Sequence, residues 1–269
     1  MISIGIVKKE LRERRLSLVI YILVALMLTW VYMMLFPTVR DQAQSLNKLV
    51  ETYPEALKKA FKIEGGGFGT IESFLSYELF SLMWPLLAIM FTLSRAGNTI
   101  AGEIERGTIG TVLAQPISRS SIFRSKYTSG LIGLLAFVVA SILTPIPFAW
   151  AYHIQVHPKN FLLTSLLCLI FGLAIYGVSM LASALFNDRG KVYGIVGGTL
   201  FAMYVINVIS GIKPSLEKLQ YTSVFHYFNA TDVMTHAQLS LSSMLLFGGI
   251  AVIGLFGGLY IFNKRDISI

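Results

Sequence analysis

Charged residues are scarce in this sequence. Asp, Glu, Lys and Arg make up 13% of the 269 residues, whereas soluble domains contain about 25%. Hydrophobic residues make up 55%, and the mean hydropathy is +0.68. A chain with so few charges cannot cover the surface of a soluble globule, so its net charge of +8 does not indicate a nucleic-acid-binding domain. The composition is typical of a protein that crosses a membrane several times.

Motifs that would mark other functions are also missing. The single cysteine, Cys168, excludes a disulfide within the chain. No G-x-x-x-x-G-K-[ST], H-E-x-x-H or G-x-S-x-G motif occurs, so we expect neither ATP hydrolysis nor other catalysis on this chain. His153 and His157 are four residues apart, but Pro158 follows at once and no carboxylate is near in sequence, so we expect no metal site.

The sequence contains several long apolar stretches. A helix needs about 20 mostly apolar residues to cross a bilayer. Six stretches approach or reach this length, at about 18–36, 79–94, 129–151, 161–186, 192–211 and 244–262. The sequence therefore predicts an all-α membrane protein with six transmembrane helices, in a single domain over residues 1–269.

The predicted spans contain prolines but no ionisable Asp, Glu, Lys or Arg. Pro85, Pro145 and Pro147 lie inside spans, where neighbouring helices can satisfy the freed backbone groups, so we expect kinks rather than breaks. Charged residues within spans are typical of ion-coupled transporters. Their absence argues against that class.

Basic residues are concentrated on one side of the predicted bundle. With six spans, both termini lie on the same side, together with the 95–126 segment and the 187–191 loop. These four segments hold 14 of the 22 Lys and Arg residues and six of the 14 acidic residues, so they carry the whole formal charge of +8. Because Lys and Arg are enriched in cytoplasmic loops, we expect a multi-pass protein of a bacterial plasma membrane with both termini in the cytoplasm.

Residues 1–17 combine apolar and basic residues in a helical pattern. The apolar residues that share a face are Ile4, Val7, Leu11 and Leu18. The basic residues that we expect to anchor the chain at the membrane interface are Lys8, Lys9, Arg12 and Arg15. The pattern indicates an amphipathic interfacial helix on an anionic membrane surface. The same residues could also act only as a positive anchor that orients the chain.

Two long segments lie on the opposite, outer side. In 37–77, an apolar stripe from Leu46 to Phe61 predicts an outer helical loop, and Thr70 can cap the helix that follows the glycines of 65–69. This loop either gates a pathway or only packs on the spans. The 212–243 segment is too apolar for a free loop and too broken for a span, so it predicts short, re-entrant outer helices before the last span.

A polar segment, 95–126, separates the second and third predicted spans. An amphipathic pattern over 104–112 predicts a short helix that Pro116 prevents from continuing. Ser118 can cap a second helix that runs into the third span. Two basic residues of this second helix can meet lipid phosphates at the membrane boundary, namely Arg124 and Lys126. Such a compact helix–turn–helix suits contact with a cytoplasmic partner.

This segment resembles the signature of type-2 ABC transporter permeases. The matching residues are a glutamate before Gly107-Thr108, then Leu113, Pro116-Ile117-Ser118-Arg119 and Lys126. The element YTSVFHYFN (221–229) is similar to an S-P-F-x-Y element of that family, with Val224 where proline is common. The resemblance covers nearly the whole chain, through the basic N-terminal helix, the six spans and the broken outer segment.

The resemblance implies a function and partners. In that family, the segment between the second and third spans contains a coupling helix that docks on a separate ATPase, and two permease chains and two ATPases form the exporter. The contact residues implied here are Glu103, Glu105, Arg106, Gly107, Thr108, Val112, Pro116 and Arg119. Gly107, Thr108 and Pro116 could instead only shape the turn. ATP and Mg²⁺ would be bound by the partner ATPase, with no cofactor on this chain.

Two G-x-x-x-G motifs permit close approach of helices. They are Gly194-x-x-x-Gly198 in the fifth predicted span and Gly254-x-x-x-Gly258 in the sixth. Packing within the chain and contact between chains both fit these motifs. Since the resemblance favours the first and fifth spans at the dimer contact, we assign Gly194 and Gly198 to that contact.

The sequence thus predicts the permease subunit of an ABC exporter, working as a dimer with an identical or related chain. Uncharged spans rich in aromatic residues and methionine favour an apolar or amphipathic cargo. An amphipathic or antimicrobial peptide, an antibiotic and a lipid-like molecule all fit, and we expect no nucleic-acid partner. The alternative function is a membrane scaffold or sensor that recruits a cytoplasmic partner and moves no cargo.

Overall fold

The computed structural model describes residues 2–54, 58 and 67–266, and within them the fold is all α, without a strand. The helices are α1 (Ile4–Glu13), α2 (Arg15–Asp41), α3 (Ala43–Glu51), α4 (Ile71–Gly97), α5 (Ile100–Glu105), α6 (Ile109–Leu113), α7 (Arg119–Ala151), α8 (Pro158–Leu185), α9 (Arg189–Ile212), α10 (Val224–Tyr227), α11 (Ala230–His236) and α12 (Leu241–Lys264). A 3-10 stretch, Pro214–Thr222, precedes α10. Within the described part of the chain, six helices are long and apolar enough to cross a membrane, namely α2, α4, α7, α8, α9 and α12. The predicted fold class is confirmed.

Each predicted span coincides with one long helix, but the helices are longer. The second begins at Ile71 rather than near residue 79, and the third begins at Arg119 rather than near residue 129. Polar residues that lower the hydropathy of these extensions, such as Ser73 and Ser121, are buried against other parts of the protein. As a result, the polar segment predicted at 95–126 shortens to 98–118.

Prolines modify two of the long helices without ending them. Residues 76–83, just before Pro85 in α4, form wide π-type turns, which often accompany a disturbed hydrogen-bond ladder. In α7, the regular ladder is interrupted between Thr144 and Pro145, while the backbone of Thr144 stays helical. Both helices therefore continue past their prolines.

The centre of the bundle is α8, which packs against α12, α4 and α7. It approaches α12 most closely where Gly177 faces Gly254, since a Cβ on Gly254 would overlap the backbone of Gly177. A Cβ on Gly258 would likewise crowd Phe123 and the Cα of Leu181. The Gly254-x-x-x-Gly258 motif thus serves packing within the chain.

Aromatic rings fill the end of the bundle beneath the 213–236 segment. Phe228 stacks on Trp84 and packs on Phe171, with ring centroids 6.2 and 4.6 Å apart. Met234 of α11 is fully buried there. We call this end the capped face, because the short helices close it. That they dip into the outer leaflet stays a prediction.

The outer loop 37–77 is described only in part. α2 continues to Asp41 and α3 follows directly. Of the predicted apolar stripe, Leu46 and Val50 are half-buried, whereas Leu49 is exposed. Tyr53, also part of the stripe, is 48% exposed, and its last members, Leu57, Ala60 and Phe61, lie outside the described residues. Thr70 caps α4 as predicted, accepting a hydrogen bond from Ser73 N at 3.2 Å.

The first and last described residues lie at the other end of the bundle, which we call the terminal face. It comprises α1, residues 98–118, residues 186–188 and the end of α12. α1 packs on α7 and buries Ile6, Val7 and Glu10. Ile4, predicted to share the apolar face, is 70% exposed. The buried face differs from the predicted stripe because packing on α7 selects it.

Candidate functional site

The segment between α4 and α7 forms two short helices joined by a tight turn. Gly107 ends α5 with a left-handed φ of +70°, a conformation that favours glycine. The Gly107 N–H donates to the Ile104 carbonyl at 3.0 Å, and the Thr108 N–H donates to the Glu103 carbonyl at 2.9 Å. This pair of bonds is the Schellman motif. The Gly-Thr pair therefore has a structural role in this chain, whatever else it contacts.

The helix α6 has a buried side and an exposed side. Ile109 and Val112 are 2% and 5% exposed and anchor the helix to the protein. Thr111, Ala114 and Gln115 are exposed. We call residues 106–117 the knob, since this segment projects from the terminal face and is fixed along one side.

The C-terminal end of the knob is held in place by its junction with α7. Ser118 caps α7 by accepting from Ser121 N at 3.3 Å, as the sequence predicted. Arg119 Nη1 donates to the Arg265 carbonyl at 2.6 Å, and Arg265 Nη1 donates to the Ala184 carbonyl at 2.7 Å. The start of α7, the end of α8 and the end of α12 are thereby joined beside the knob.

A buried charge cluster lies behind the knob. Lys126 of α7 is 1% exposed, and its Nζ contacts Glu10 Oε1 at 2.5 Å and Glu103 Oε1 at 2.6 Å. The second oxygen of Glu10 accepts from Arg14 Nε at 2.8 Å. We call Glu10, Arg14, Glu103 and Lys126 the charge cluster. It ties α1, α5 and α7 together through charge-assisted bonds, which are stronger than neutral ones.

The positive charges of the cluster lower the pKa of the Glu10 carboxyl. Burial alone would raise the pKa of its carboxyl, but the positive charges and hydrogen bonds of Lys126 and Arg14 outweigh burial and lower the pKa to about 2. Glu10 is therefore ionised at neutral pH and contributes to stability as a carboxylate.

Asn98 links the cluster to the fifth long helix. Its carbonyl accepts from Arg14 Nη2 at 2.6 Å, and its side-chain oxygen accepts from Arg189 Nη1 at 3.0 Å. Arg189, the first residue of α9, also donates from Nε to Glu105 Oε2 at 3.0 Å and from Nη2 to Oε1 at 3.3 Å. These bonds join α5 directly to α7 and α9, and through Lys126 to α1.

The structure divides the predicted contact residues into two groups. Arg106, Gly107, Thr108 and Pro116 are exposed, so a partner can reach them. Glu103 and Val112 are buried, and the prediction that they contact a partner is wrong, because one pairs with Lys126 and the other packs in the core. Two further predicted residues are already engaged within the chain, namely Glu105 and Arg119.

The residues predicted to anchor the chain at the membrane interface also divide into exposed and buried ones. Five of them are exposed and can meet lipid headgroups, namely Lys8, Lys9, Arg12, Arg15 and Arg124. Lys126 is not such an anchor, and that prediction is corrected, because its ammonium is enclosed by two carboxylates. Gly194 and Gly198 are exposed, and a Cβ on either would meet nothing within 4 Å.

The sequence reasoning missed Glu10, Arg14, Arg95 and Arg189. Glu10 follows the buried pair Ile6 and Val7 by one helical turn, and a carboxylate on the buried face of a helix is a signal that could have been read. It also missed that Glu72 Oε1 accepts from the backbone N of His157 at 2.8 Å. No cluster of three or more metal-binding side chains occurs in the part of the chain that the structure describes.

Comparison with known proteins identifies the family. The model of the ABC-2 family transporter protein matches residues 4–267. The chain belongs to the ABC-2 transporter family. Among curated proteins, no similar sequence was found. Together with six apolar helices, membership makes this ABC-2 protein a multi-pass membrane permease of an ABC transporter. The family implies association with an ATP-binding subunit and a partner permease.

Proposed function

We propose that this ABC-2 permease is the translocating subunit of an exporter, and that the knob is where a separate ATPase docks. The observation that carries the proposal is the anchoring of Ile109 and Val112 beneath an exposed surface of Thr111, Ala114 and Gln115. A partner can push on such a surface without bending it. ATP and Mg²⁺ then act on the partner, and this chain passes on the motion.

A photo-cross-linking amino acid placed at Thr111 tests the docking site. The chain is co-expressed with an ABC-type ATP-binding subunit, purified as a complex and irradiated. We expect Thr111 to cross-link to the ATPase, while the same amino acid at Thr222, exposed on the capped face, does not. If the ATPase copurifies but cross-links from neither Thr111 nor Ala114, it docks elsewhere and the assignment of the knob fails.

The dimer contact is proposed at α2 and α9. In their apolar windows only 17% of the residues are buried, against 56% in α4 and α8. The centre of the chain is filled with packed side chains, so a pathway for cargo fits better between two chains than within one. Gly194 and Gly198 offer a smooth surface on α9 for close approach of a second helix.

Cysteine cross-linking tests this contact. The only native cysteine, Cys168, is buried and gives little background. With an oxidant, Gly194→Cys is expected to give a covalent dimer in membranes that contain only this chain. Val252→Cys is the control, because Val252 is exposed on α12, whose apolar window is 22% buried. A dimer from Val252→Cys alone would move the contact to α12.

The cargo pathway is proposed along an exposed apolar stripe of α4. Met83, Leu86 and Met90 are 40%, 45% and 57% exposed. They lie on a helix that both α2 and α9 contact, so a dimer through those helices would enclose the stripe. Methionine adapts to irregular apolar partners, which fits an amphipathic peptide, an antibiotic or a lipid-like molecule.

Transport into inside-out vesicles tests the cargo class. An amphipathic cationic peptide and an apolar dye are expected to stimulate ATP hydrolysis by the complex and to accumulate. Met90→Asp should abolish both effects, and Met90→Leu should retain them. If the ATPase docks on the knob and no amphipathic or apolar compound changes turnover, the chain acts as a scaffold or sensor instead.

A further inference from the structure

Arg95 is a buried cation that belongs neither to the knob nor to the charge cluster. It lies two residues before the end of α4 and is 2% exposed. Among the described residues, none accepts a hydrogen bond from its Nε, Nη1 or Nη2. A guanidinium carries five N–H donors, and an uncompensated buried charge is strongly destabilising. We therefore looked in the surroundings of Arg95 for space that could hold a hydrogen-bond acceptor of negative charge.

The guanidinium lies between α4 and α7. One face is covered by the Phe91 ring, whose centroid is 5.6 Å from Cζ. The other contact is Gly133 of α7, where a Cβ would overlap the guanidinium. A ring covers the face of a cation but accepts none of its N–H bonds in the plane. The polar edge of Arg95 is left facing a pocket.

This pocket is small. Its lining residues are Glu10, Arg14, Arg95, Thr99, Lys126, Ser129, Gly130 and Tyr176. Most of them are buried, and Arg14, the most exposed, marks its mouth at the terminal face. The gaps between these residues are narrower than a water molecule. A bound ion is wider than these gaps, so the long Arg95 side chain, which no hydrogen bond holds among the described residues, must move to admit it.

The charges around the pocket do not balance. Three cations, Arg14, Arg95 and Lys126, stand against two carboxylates, Glu10 and Glu103. Both oxygens of Glu10 are engaged, by Lys126 and Arg14, and Glu103 does not line the pocket. One positive charge is left, and it belongs to Arg95. A single monovalent anion would neutralise it.

We propose that this pocket binds one monatomic anion of the size of chloride, held by the N–H groups of Arg95 with the Ser129 hydroxyl beside it. Glu10 also borders the pocket, but its charge is compensated by two cations. A phospholipid headgroup is excluded because Ser129, Gly130 and Tyr176 are buried inside the protein. The site holds together α4, α7 and, through Glu10 and Arg14, the helix α1.

Thermal unfolding of the purified full-length chain in detergent tests the proposal. Sodium chloride replaces sodium gluconate at constant ionic strength, and sodium bromide is a second probe. Chloride is expected to raise Tm saturably by about 2–4 °C, with bromide acting similarly. Arg95→Gln should lose the response. Arg40→Gln, which removes an exposed cation at the end of α2, should keep it.

A second variant keeps the test decisive if Arg95→Gln does not fold. Ser129→Asp places a carboxylate inside the pocket, so it should unfold at the same temperature in chloride and in gluconate, at or above the Tm of the parent in chloride. The proposal is overturned if the parent chain shows no halide response. It is equally overturned if the response persists in Arg95→Gln or Ser129→Asp, which would mean an adventitious ion only. Stabilisation by inorganic phosphate or anionic lipid but not by halide would exclude a monatomic site.

Discussion

At the terminal face, a buried lysine contacts two carboxylates at 2.5 and 2.6 Å, whereas at the capped face Phe228 is held between two rings, Trp84 and Phe171. The stabilisation from an ion pair depends on the geometry of its hydrogen bonds and on the presence of both charges. The stabilisation from a ring contact depends mainly on the buried apolar area and on how well the rings fit together. The face that contains the knob is thus the one where buried ion pairs join separate helices.

The largest effect is expected from Lys126→Met. It removes the cation from two buried carboxylates, and breaking a buried ion pair costs about 3–5 kcal/mol. We expect a clear fall in Tm in detergent. Arg124→Met on the same helix is the control. Because Arg124 is exposed, the Tm of this variant should stay close to that of the parent. Equal Tm values for both variants would contradict the importance of the cluster.

Acid should weaken the terminal face through Glu10. The folded-state pKa of about 2 lies below the usual 4.5, so the contribution of Glu10 is fully present above pH 4.5 and is lost as the pH falls through about 2. The pKa difference corresponds to about 3 kcal/mol. Tm measured from pH 6 to pH 3 should fall more steeply in the parent than in Glu10→Gln. Parallel curves would mean that other groups control the acid response.

The turn at Gly107 should tolerate substitution less well than its exposure suggests. An alanine there must adopt φ near +70°, which costs about 1–2 kcal/mol for a residue with a Cβ. Gly107→Ala should lower Tm, and Gly249→Ala in α12, where a Cβ meets nothing, should not. Unchanged Tm in Gly107→Ala together with lost ATPase binding would instead give Gly107 a direct contact role.

The capped face should absorb a moderate change of shape. Phe228→Leu keeps an apolar side chain of similar volume, and such replacements usually cost less than about 1.5 kcal/mol. Unfolding in detergent is expected to shift only slightly, with Phe256→Leu, exposed on α12, as the reference. A loss as large as that of Lys126→Met would show that the two faces do not differ in tolerance.

The smallest effect is expected at the exposed pair of Glu105 and Arg189. Exposed ion pairs are screened by water and salt, so Glu105→Gln should leave Tm unchanged within error at 0.15 M salt. A fall comparable to that of Lys126→Met would place Glu105 within the supporting network of the terminal face.

Local patterns were readable in the sequence because neighbouring residues decide them. The caps at Thr70 and Ser118 were predicted correctly, since each cap needs only a hydroxyl and the N–H of a residue three positions on. The six spans followed from the length and hydropathy of the stretches. Their ends did not, because buried polar residues such as Ser73 continue the helices inside the protein.

The partners of charged residues were not readable. Glu10 and Lys126 are 116 positions apart, and no local pattern pairs them. Lys126 was interpreted as a lipid anchor because a basic residue near a span is usually exposed. Glu103 was assigned to the ATPase contact because the resemblance to type-2 ABC permeases implied it. Their burial follows only from the packing of α1 on α7 and of α5 on α8, which brings Glu103 to Lys126.

The sequence by itself determined that this protein crosses a membrane with six helices, that most of its positive charge lies on one side, and that a rigid polar segment separates the second and third spans. Hydropathy, charge and capping residues act over short distances along the chain, so they are legible there. Only the tertiary structure decided which of the charges face outward and which are buried in ion pairs, because that depends on which helices meet. It also left Arg95 with an unbalanced charge in a pocket between α4 and α7.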